Sequence, residues 1–233
     1  MIIEEAKKFG INLSLFEEEQ FKKYAELLLQ YNKVVNLTAI TDLPEIEEKH
    51  FLDSVCTLSA KEFKENAKVI DVGSGAGFPG LPIKIARPDL EVILLDSLKK
   101  RVEFLEAVIK ELNLKNIEAI HMRAEDAGSD LLYREKFDVA VSRAVADLSV
   151  LTEYCLPFVK VGGTFIALKG PKPEEEIDRA QKAISLLGGE FEEKIPIILP
   201  DGIAHSLIII RKLRQAPANY PRKAGKPTKK PLD

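Results

Sequence analysis

The stretch Lys68-Val69-Ile70-Asp71-Val72-Gly73-Ser74-Gly75-Ala76-Gly77-Phe78-Pro79-Gly80 limits what this chain can fold into more than any other. A short apolar run rich in β-branched residues reaches an acidic residue, and glycines then recur at every second position. Pro79 and Pro82 follow, with apolar residues at Leu81, Ile83 and Ile85. The pattern reads as a buried strand, a tight turn and the first turn of a helix, where the missing N–H of proline costs little. Glycines suit such a turn because the backbone takes up positive φ and lets a ligand approach closely. The unpaired N–H groups at the helix start are expected to offer a site for a carboxylate or phosphate.

Gly75, Gly77 and Gly80 match the G-x-G-x-x-G spacing, which on its own also describes a purely structural strand-to-helix turn. The neighbours add information. Asp71 sits two residues before the first glycine, and the next predicted strand, 90–95, ends in Asp96. An acidic residue at the tip of the second strand is where the hydroxyls of a ribose are gripped. Two acidic strand ends around a glycine turn suit a ribose-bearing cofactor with a cationic or amino-bearing tail. S-adenosylmethionine fits that description better than NAD, whose pyrophosphate is doubly anionic.

With 233 residues the chain is long enough for one main domain with an appendage. Its 45% hydrophobic and 30% charged residues are those of a globular protein, and no apolar run approaches the roughly 18 residues of a membrane span. The acidic start, Met1-Ile2-Ile3-Glu4-Glu5, lacks the basic character of a secretion signal, so a cytoplasmic protein is expected. Cys56 and Cys155 lie far apart, and His50, His121 and His205 form no metal-ligand motif, so no metal is expected. The charge is unevenly spread. Residues 211–233 hold eight Lys/Arg and one acidic residue, while the remaining 210 carry 26 basic against 36 acidic. A basic tail on an acidic body points to a polyanionic partner.

The first sixty residues read as helical. Ser14 and Glu17 form a capping box, and Phe21, Tyr24, Ala25, Leu28 and Tyr31 follow at helical spacing. Asp42 and Pro44 announce a second helix. From residue 67 strands and helices alternate, with strands over 68–72, 90–95, 117–122, 137–141 and 163–168, and with Ser97 as the expected cap of the helix after Asp96. The rhythm then changes, because the apolar runs 191–199 and 206–210 are separated by Pro200-Asp201-Gly202, a turn too short for a crossover helix. A parallel sheet therefore ends in an antiparallel hairpin. Residues 213–233, rich in proline and lysine, cannot bury enough surface to fold alone and are expected to form a flexible tail that docks on phosphates. Removing such a tail is expected to weaken RNA affinity and to leave cofactor affinity intact.

Taken together, these residues resemble the bacterial glucose-inhibited division protein B family of 16S ribosomal RNA guanine-N7 methyltransferases. The resemblance covers nearly the whole chain. It rests on Asn36-Leu37-Thr38, His50-Phe51-Leu52-Asp53-Ser54, the stretch from Asp71 to Gly80, Leu95-Asp96-Ser97 with Lys100-Arg101, Ser142-Arg143-Ala144, Ala167-Leu168-Lys169-Gly170, and the ending Tyr220-Pro221-Arg222-Lys223-Ala224-Gly225 with Lys229-Lys230-Pro231-Leu232. It implies an α/β fold of the Rossmann-like class I S-adenosylmethionine-dependent methyltransferase type. The sheet is then seven-stranded and mostly parallel, ending in the antiparallel hairpin, with an N-terminal helical extension over 1–60, the methyltransferase domain over 61–212 and the tail over 213–233.

The same resemblance implies transfer of a methyl group to N7 of a guanine in the 530 loop of 16S ribosomal RNA. It places cofactor contacts at Gly73, Phe78, Asp96, Ser97, Leu98, Ala124, Glu125 and Arg143, to which the glycine-turn reading adds Asp71, Gly75 and Gly77. Arg143 is expected to orient the reactants. No general base is expected, since guanine N7 already carries a free lone pair. Candidate RNA contacts are Asn36, His50, Lys169, Arg222, Lys223, Lys226, Lys229 and Lys230, with 16S ribosomal RNA or the small ribosomal subunit as partner and a monomeric enzyme. His50 and Asp53, three apart on one helical face, read equally as a packing pair and as groups lining the RNA entrance. Two other classes stay open at this point, a NAD-dependent oxidoreductase and a non-catalytic RNA-binding protein.

Overall fold

A computed structural model describes residues 2–143 and 145–232; Ala144, part of the Ser142-Arg143-Ala144 motif, lies outside them. Seven strands form one sheet in the order β3-β2-β1-β4-β5-β7-β6. They are β1 (Lys68–Val72), β2 (Glu91–Asp96), β3 (Ile117–His121), β4 (Phe137–Arg143), β5 (Val159–Lys169), β6 (Gly189–Ile198) and β7 (Ala204–Lys212). The first five run parallel, whereas β7 pairs antiparallel with both β5 and β6. The predicted hairpin is thus present. The strand order reverses between β1 and β4, and the carboxyl ends of the strands beside such a switch point are where α/β sheets bind ligands.

Ahead of the sheet lie α1 (Ile2–Lys8), α2 (Leu15–Val35) and α3 (Leu43–Ile46). The chain continues from α3 through a π-helical turn, Glu47–Leu52, into α4 (Asp53–Val55) and a 3-10 turn, Cys56–Ser59. The capping box forms as expected, with Ser14 and Glu17 satisfying each other's backbone at the start of α2. Helices α5 (Gly80–Ala86) and α6 (Lys99–Glu111) join this group on one face of the sheet. The other face is covered by α7 (Ala124–Ala127), α8 (Leu148–Cys155) and α9 (Glu174–Leu186), and a last short helix, α10 (Lys226–Lys229), belongs to the tail. Ser97 does not cap α6. Leu98 occupies that position, and its N–H donates to Asp96 Oδ1 at 2.8 Å.

The helical extension shares one core with the sheet. Phe21, Tyr24 and Leu28 from α2 and Phe51 and Val55 from the irregular run pack in the same buried cluster as Val69, Phe78, Leu81, Val92 and Phe104. The aromatic rings of Phe21, Tyr24, Phe51, Phe78 and Phe104 touch in series, with centroids 5.0–6.4 Å apart. Such pairs add about 0.5–1.5 kcal/mol each beyond the area they bury.

The tail departs from the flexible segment expected of it. It is laid along the second cluster, with Ala216, Pro221 and Pro227 buried and Tyr220 and Leu232 packed against it. Polar contacts hold it there as well. The Arg134 guanidinium donates to the carbonyls of Gly128, Ala216, Pro217 and Tyr220, and the Ala216 N–H donates to Glu135 Oε1. Composition warned that the tail has little apolar surface of its own, and it said nothing of carbonyls gathered by one arginine.

Tyr24 is fully buried, and its hydroxyl donates to the carbonyl of Ala76 in the glycine turn. Replacing it by phenylalanine keeps the ring and leaves that carbonyl without its partner. Tyr24→Phe should therefore cost about 1–3 kcal/mol, measured by denaturant unfolding.

Candidate functional site

The glycine turn runs from the end of β1 to the start of α5, and its geometry comes from two carboxylates. In a strand, alternate side chains face opposite sides of the sheet. Asp71 therefore shares the side of Val69, which α5 covers, and not the ligand cleft. There it is fully buried, and its Oδ2 accepts the Gly80 N–H at 2.8 Å. A Cβ on Gly80 would collide with Asp71 and Leu94, so only glycine lets the helix start come so close. Burial pushes the Asp71 carboxyl up to about 7, against the pull of the Gly80 N–H and the Arg143 charge. Asp71, expected at the cofactor, is instead the turn's support.

The second carboxylate is Asp96. Its Oδ2 accepts the Gly75 N–H at 2.9 Å while Oδ1 holds Leu98, so it ties the turn to the end of β2. Gly77 also differs from its expected role: it does not reach the cleft wall. At φ +99 its missing Cβ leaves room for Leu81 and the Tyr24 hydroxyl. A further expectation changes as well. The N–H groups of Gly73, Ser74, Gly75, Gly77, Phe78, Gly80 and Leu81 all donate within the protein, so the carboxylate awaited at the helix start is the chain's own Asp71. A pyrophosphate would have to displace these bonds, which argues against a dinucleotide.

Above the turn lies a cavity of about 690 Å³. It brings together Gly73, Gly75, Phe78, Asp96, Ser97, Leu98, Ala124, Glu125 and Arg143 from the predicted cofactor set, and His50 from the predicted RNA set. Leu37 and Thr38 also line it, next to the exposed Asn36 that ends α2 in the left-handed conformation. Met122, Arg123, Arg101, Tyr154, Gly225 and Thr228 complete much of the wall. None of these is marked as a contact by the sequence: Arg101 and Gly225 stand inside motifs that give them no role, and the others sit beside a motif or in a distant segment. Asn32 was missed too, although it builds the loop: Oδ1 accepts the N–H groups of Leu37 and Thr38, and Nδ2 donates to the Thr38 carbonyl.

Around Arg143 the cleft has a connected polar wall. Its guanidinium donates to Asp53 Oδ2 at 2.9 Å and to the Lys49 carbonyl at 3.2 Å, and lies 4.8 Å over the centre of the Phe78 ring. The His50 ring stacks on Phe78 at 4.5 Å and has Nδ1 3.3 Å from the same guanidinium and Nε2 2.8 Å from Thr38 Oγ1. The other oxygen of Asp53 lies 2.6 Å from His205 Nδ1. So His50 and Asp53, weighed from sequence as a pair, do not bond to each other and instead share Arg143. His205 was not foreseen, since nothing in a residue 152 positions from Asp53 signals the contact. His50 lies within the π-helical turn Glu47–Leu52, and Asp53 follows directly after it.

Two of the predicted RNA contacts are committed elsewhere. Lys169 Nζ donates to the Ala146 carbonyl at 2.7 Å and pairs with Glu176 at 2.6 Å, with its side chain only 8% exposed. Arg222 forks onto Glu153, a carboxylate 1% exposed within the apolar helix α8. A buried charge left unpaired is strongly destabilising, so Arg222 is held by structure. Glu153 among the apolar positions of α8 is the sequence signal that a cation had to come from somewhere. Lys223, Lys226, Lys229 and Lys230 are exposed. Among the described residues no group of three or more His, Cys, Asp or Glu could hold a metal ion, and no helix is long and apolar enough to cross a membrane.

The two histidines titrate in opposite directions. Burial, aided by the Arg143 charge, pushes His50 down to about 4 from an ordinary 6.5. The hydrogen bond to Asp53 raises His205 against the effect of burial. Burial would lift the Asp53 carboxyl, but His205 and Arg143 outweigh it and hold it below its ordinary value.

Known proteins share this architecture. The family described as rRNA small subunit methyltransferase G (GidB) matches residues 17–198. A protein named ribosomal RNA small subunit methyltransferase G from Thermoanaerobacter sp. (strain X514) is 53% identical over 233 residues, covering 100% of this chain and 97% of its own. One of the same name from Alkaliphilus oremlandii is 52% identical over 226 residues, 96% of this chain and 95% of its own. Among solved structures, a mutant of the 16S rRNA (adenine(1408)-N(1))-methyltransferase with cosubstrate SAM from Catenulisporales acidiphilia superposes with a TM-score of 0.55 at 13% identity, over 67% of this chain and 89% of that one. M. jannaschii TYW2 in complex with AdoMet gives 0.54 at 16% identity, over 69% and 77%. These two show the shared fold.

The opposed titrations put the Arg143 wall to a test. Between about 4 and 6.5 the unfolded chain binds a proton that folded His50 refuses, so stability rises with pH in that window. Above 6.5, folded His205 still holds its proton, so its contribution is full at low pH and is lost as pH rises through its elevated folded value. Urea unfolding at a series of pH values should show the lower slope flattened in His50→Asn and the upper one in His205→Asn.

Proposed function

The chain belongs to the rRNA small subunit methyltransferase G family, and from that premise we propose that it transfers a methyl group to N7 of a guanine in 16S ribosomal RNA. The enzyme is an S-adenosylmethionine-dependent methyltransferase. Bound in the cleft, S-adenosylmethionine supplies the electrophilic methyl group. The observation that carries the assignment of roles is the cavity in which Asp96, Glu125 and Arg143 meet beside a turn most of whose amides donate within the protein. A neutral ribose and an amine-bearing base need acceptors rather than free amides, and the carboxylates provide them.

On this reading Asp96 receives the ribose hydroxyls. A carboxylate has about four acceptor sites, and Gly75 and Leu98 occupy two of them. Ala124 and Glu125, after β3, face the adenine end, with Ser97 and Leu98 between. Gly73, Gly75 and Phe78 form the floor towards Arg143. The guanine enters past Asn36, Thr38 and His50, beside Arg143, as an extruded base. Arg143 orients, and no residue is asked to remove a proton. The target position in the 530 loop belongs to this proposal as well.

The exposed Lys223, Lys226, Lys229 and Lys230 are the phosphate contacts of the reading. Changing any two to glutamine should weaken RNA binding and lower the slope of log affinity against log salt by up to roughly 0.7–0.9 for each phosphate no longer neutralised. Asp96→Ala should weaken binding of S-adenosylmethionine by about ten- to a hundredfold in calorimetry, the worth of one or two hydrogen bonds to a charged acceptor. The decisive experiment treats unmodified 16S ribosomal RNA with enzyme and labelled cofactor and maps the product. A methyl group on N7 of one guanine is expected; label on another atom or base refutes the proposal.

A further inference from the structure

The tail is more than a basic appendage. Arg222 is fixed to Glu153 through its side chain and its own N–H, and Pro221 lies against Gly128. At Gly225, with φ +76, the chain turns inward, and the Gly225 N–H donates to Glu125 Oε1 at 3.0 Å. The short helix that follows has Pro227 buried, and Thr228 Oγ1 donates to the Gly225 carbonyl at 3.2 Å. Both Gly225 and Thr228 line the 690 Å³ cavity, beside the carboxylate of Glu125.

Resting on the methyl-donor reading of that cavity, we propose that the C-terminal segment 216–232 is a wall of the cofactor site, with Gly225 and Thr228 closing its adenosine end. The segment does two things there. Its Gly225 N–H fixes the Glu125 carboxylate, which keeps acceptor sites for an amine-bearing base. Its backbone covers a face of the cleft that α7, only four residues long, leaves to other elements. The consequence runs against the expectation from sequence that loss of the tail leaves cofactor affinity intact. A ligand that binds only the closed arrangement must in turn hold the segment down, since the two equilibria are linked.

Two measurements on the full-length chain test this. Proline at Gly225 removes the N–H that Glu125 accepts and cannot adopt φ +76, while no side chain lies within 4 Å of the new Cβ. Gly225→Pro should bind S-adenosylhomocysteine about tenfold or more weakly in calorimetry, as the loss of one charge-assisted hydrogen bond implies. Affinity equal to the wild type overturns the proposal. If the wild type itself does not bind, the methyl-donor reading falls first and takes this inference with it. The second measurement needs no variant. Trypsin cleavage after Lys223 and Lys229 in the unmodified chain should slow several-fold at saturating S-adenosylhomocysteine, and an unchanged rate overturns the proposal even if the proline variant does not fold.

Discussion

Two carboxylates from neighbouring strand ends hold the loop on which everything else is built. Asp71 grips it from beneath at Gly80, and Asp96 grips it from the side at Gly75. Tyr24 adds a third hold from the helical extension, through the carbonyl of Ala76. With its ends fixed in this way the loop has little freedom to rearrange, and Phe78 is presented at a defined height over the sheet. Arg143 and His50 then take their positions from the Phe78 ring, and Asp53 and His205 from Arg143. Displacing the loop would therefore move the polar wall with it. The cost of burying Asp71 is visible in its raised proton affinity. In return the Gly80 N–H at the helix start has a buried acceptor.

Much of this was legible in the chain. Strand, glycine turn and helix follow from the order of apolar, acidic and glycine residues between Lys68 and Gly80, and the terminal hairpin follows from a turn too short for a crossover. Asp96 and Glu125 could be placed at the cleft because residues after parallel strands gather at one edge of the sheet. The misplacements have a common physical cause. Asp71, Lys169 and Arg222 carry charges that suggested a ligand, yet each meets a partner of opposite character inside the protein: a backbone N–H, Glu176 and Glu153. Sequence reveals that a charge exists and seldom what neutralises it. His205, Glu153 and Arg134 depend on contacts over separations of roughly 70 to 150 residues, for which no local pattern exists. The packed tail belongs to the same class.

The electrostatics of the cleft suit a reaction in which no proton is transferred. Methylation at a ring nitrogen with a free lone pair leaves the total charge of the reactants unchanged, one cation being replaced by another. An enzyme for it gains little from a general base and much from rigid placement, which can be worth about 7–11 kcal/mol. The residues around Arg143 answer to that need. The guanidinium is matched by the buried Asp53 carboxylate, and His50, with its proton affinity pushed down to about 4, stays neutral at physiological pH. The wall around Arg143 therefore presents a hydrogen-bonded surface to an incoming base, with the guanidinium paired to a carboxylate that His205 shares before a positively charged product forms. An unpaired arginine at the same place would hold the base more strongly before transfer and oppose the charge that appears on it afterwards. Pairing Arg143 with Asp53 lessens that opposition while keeping the planar donor in place, so the buried salt bridge serves alignment more than stability.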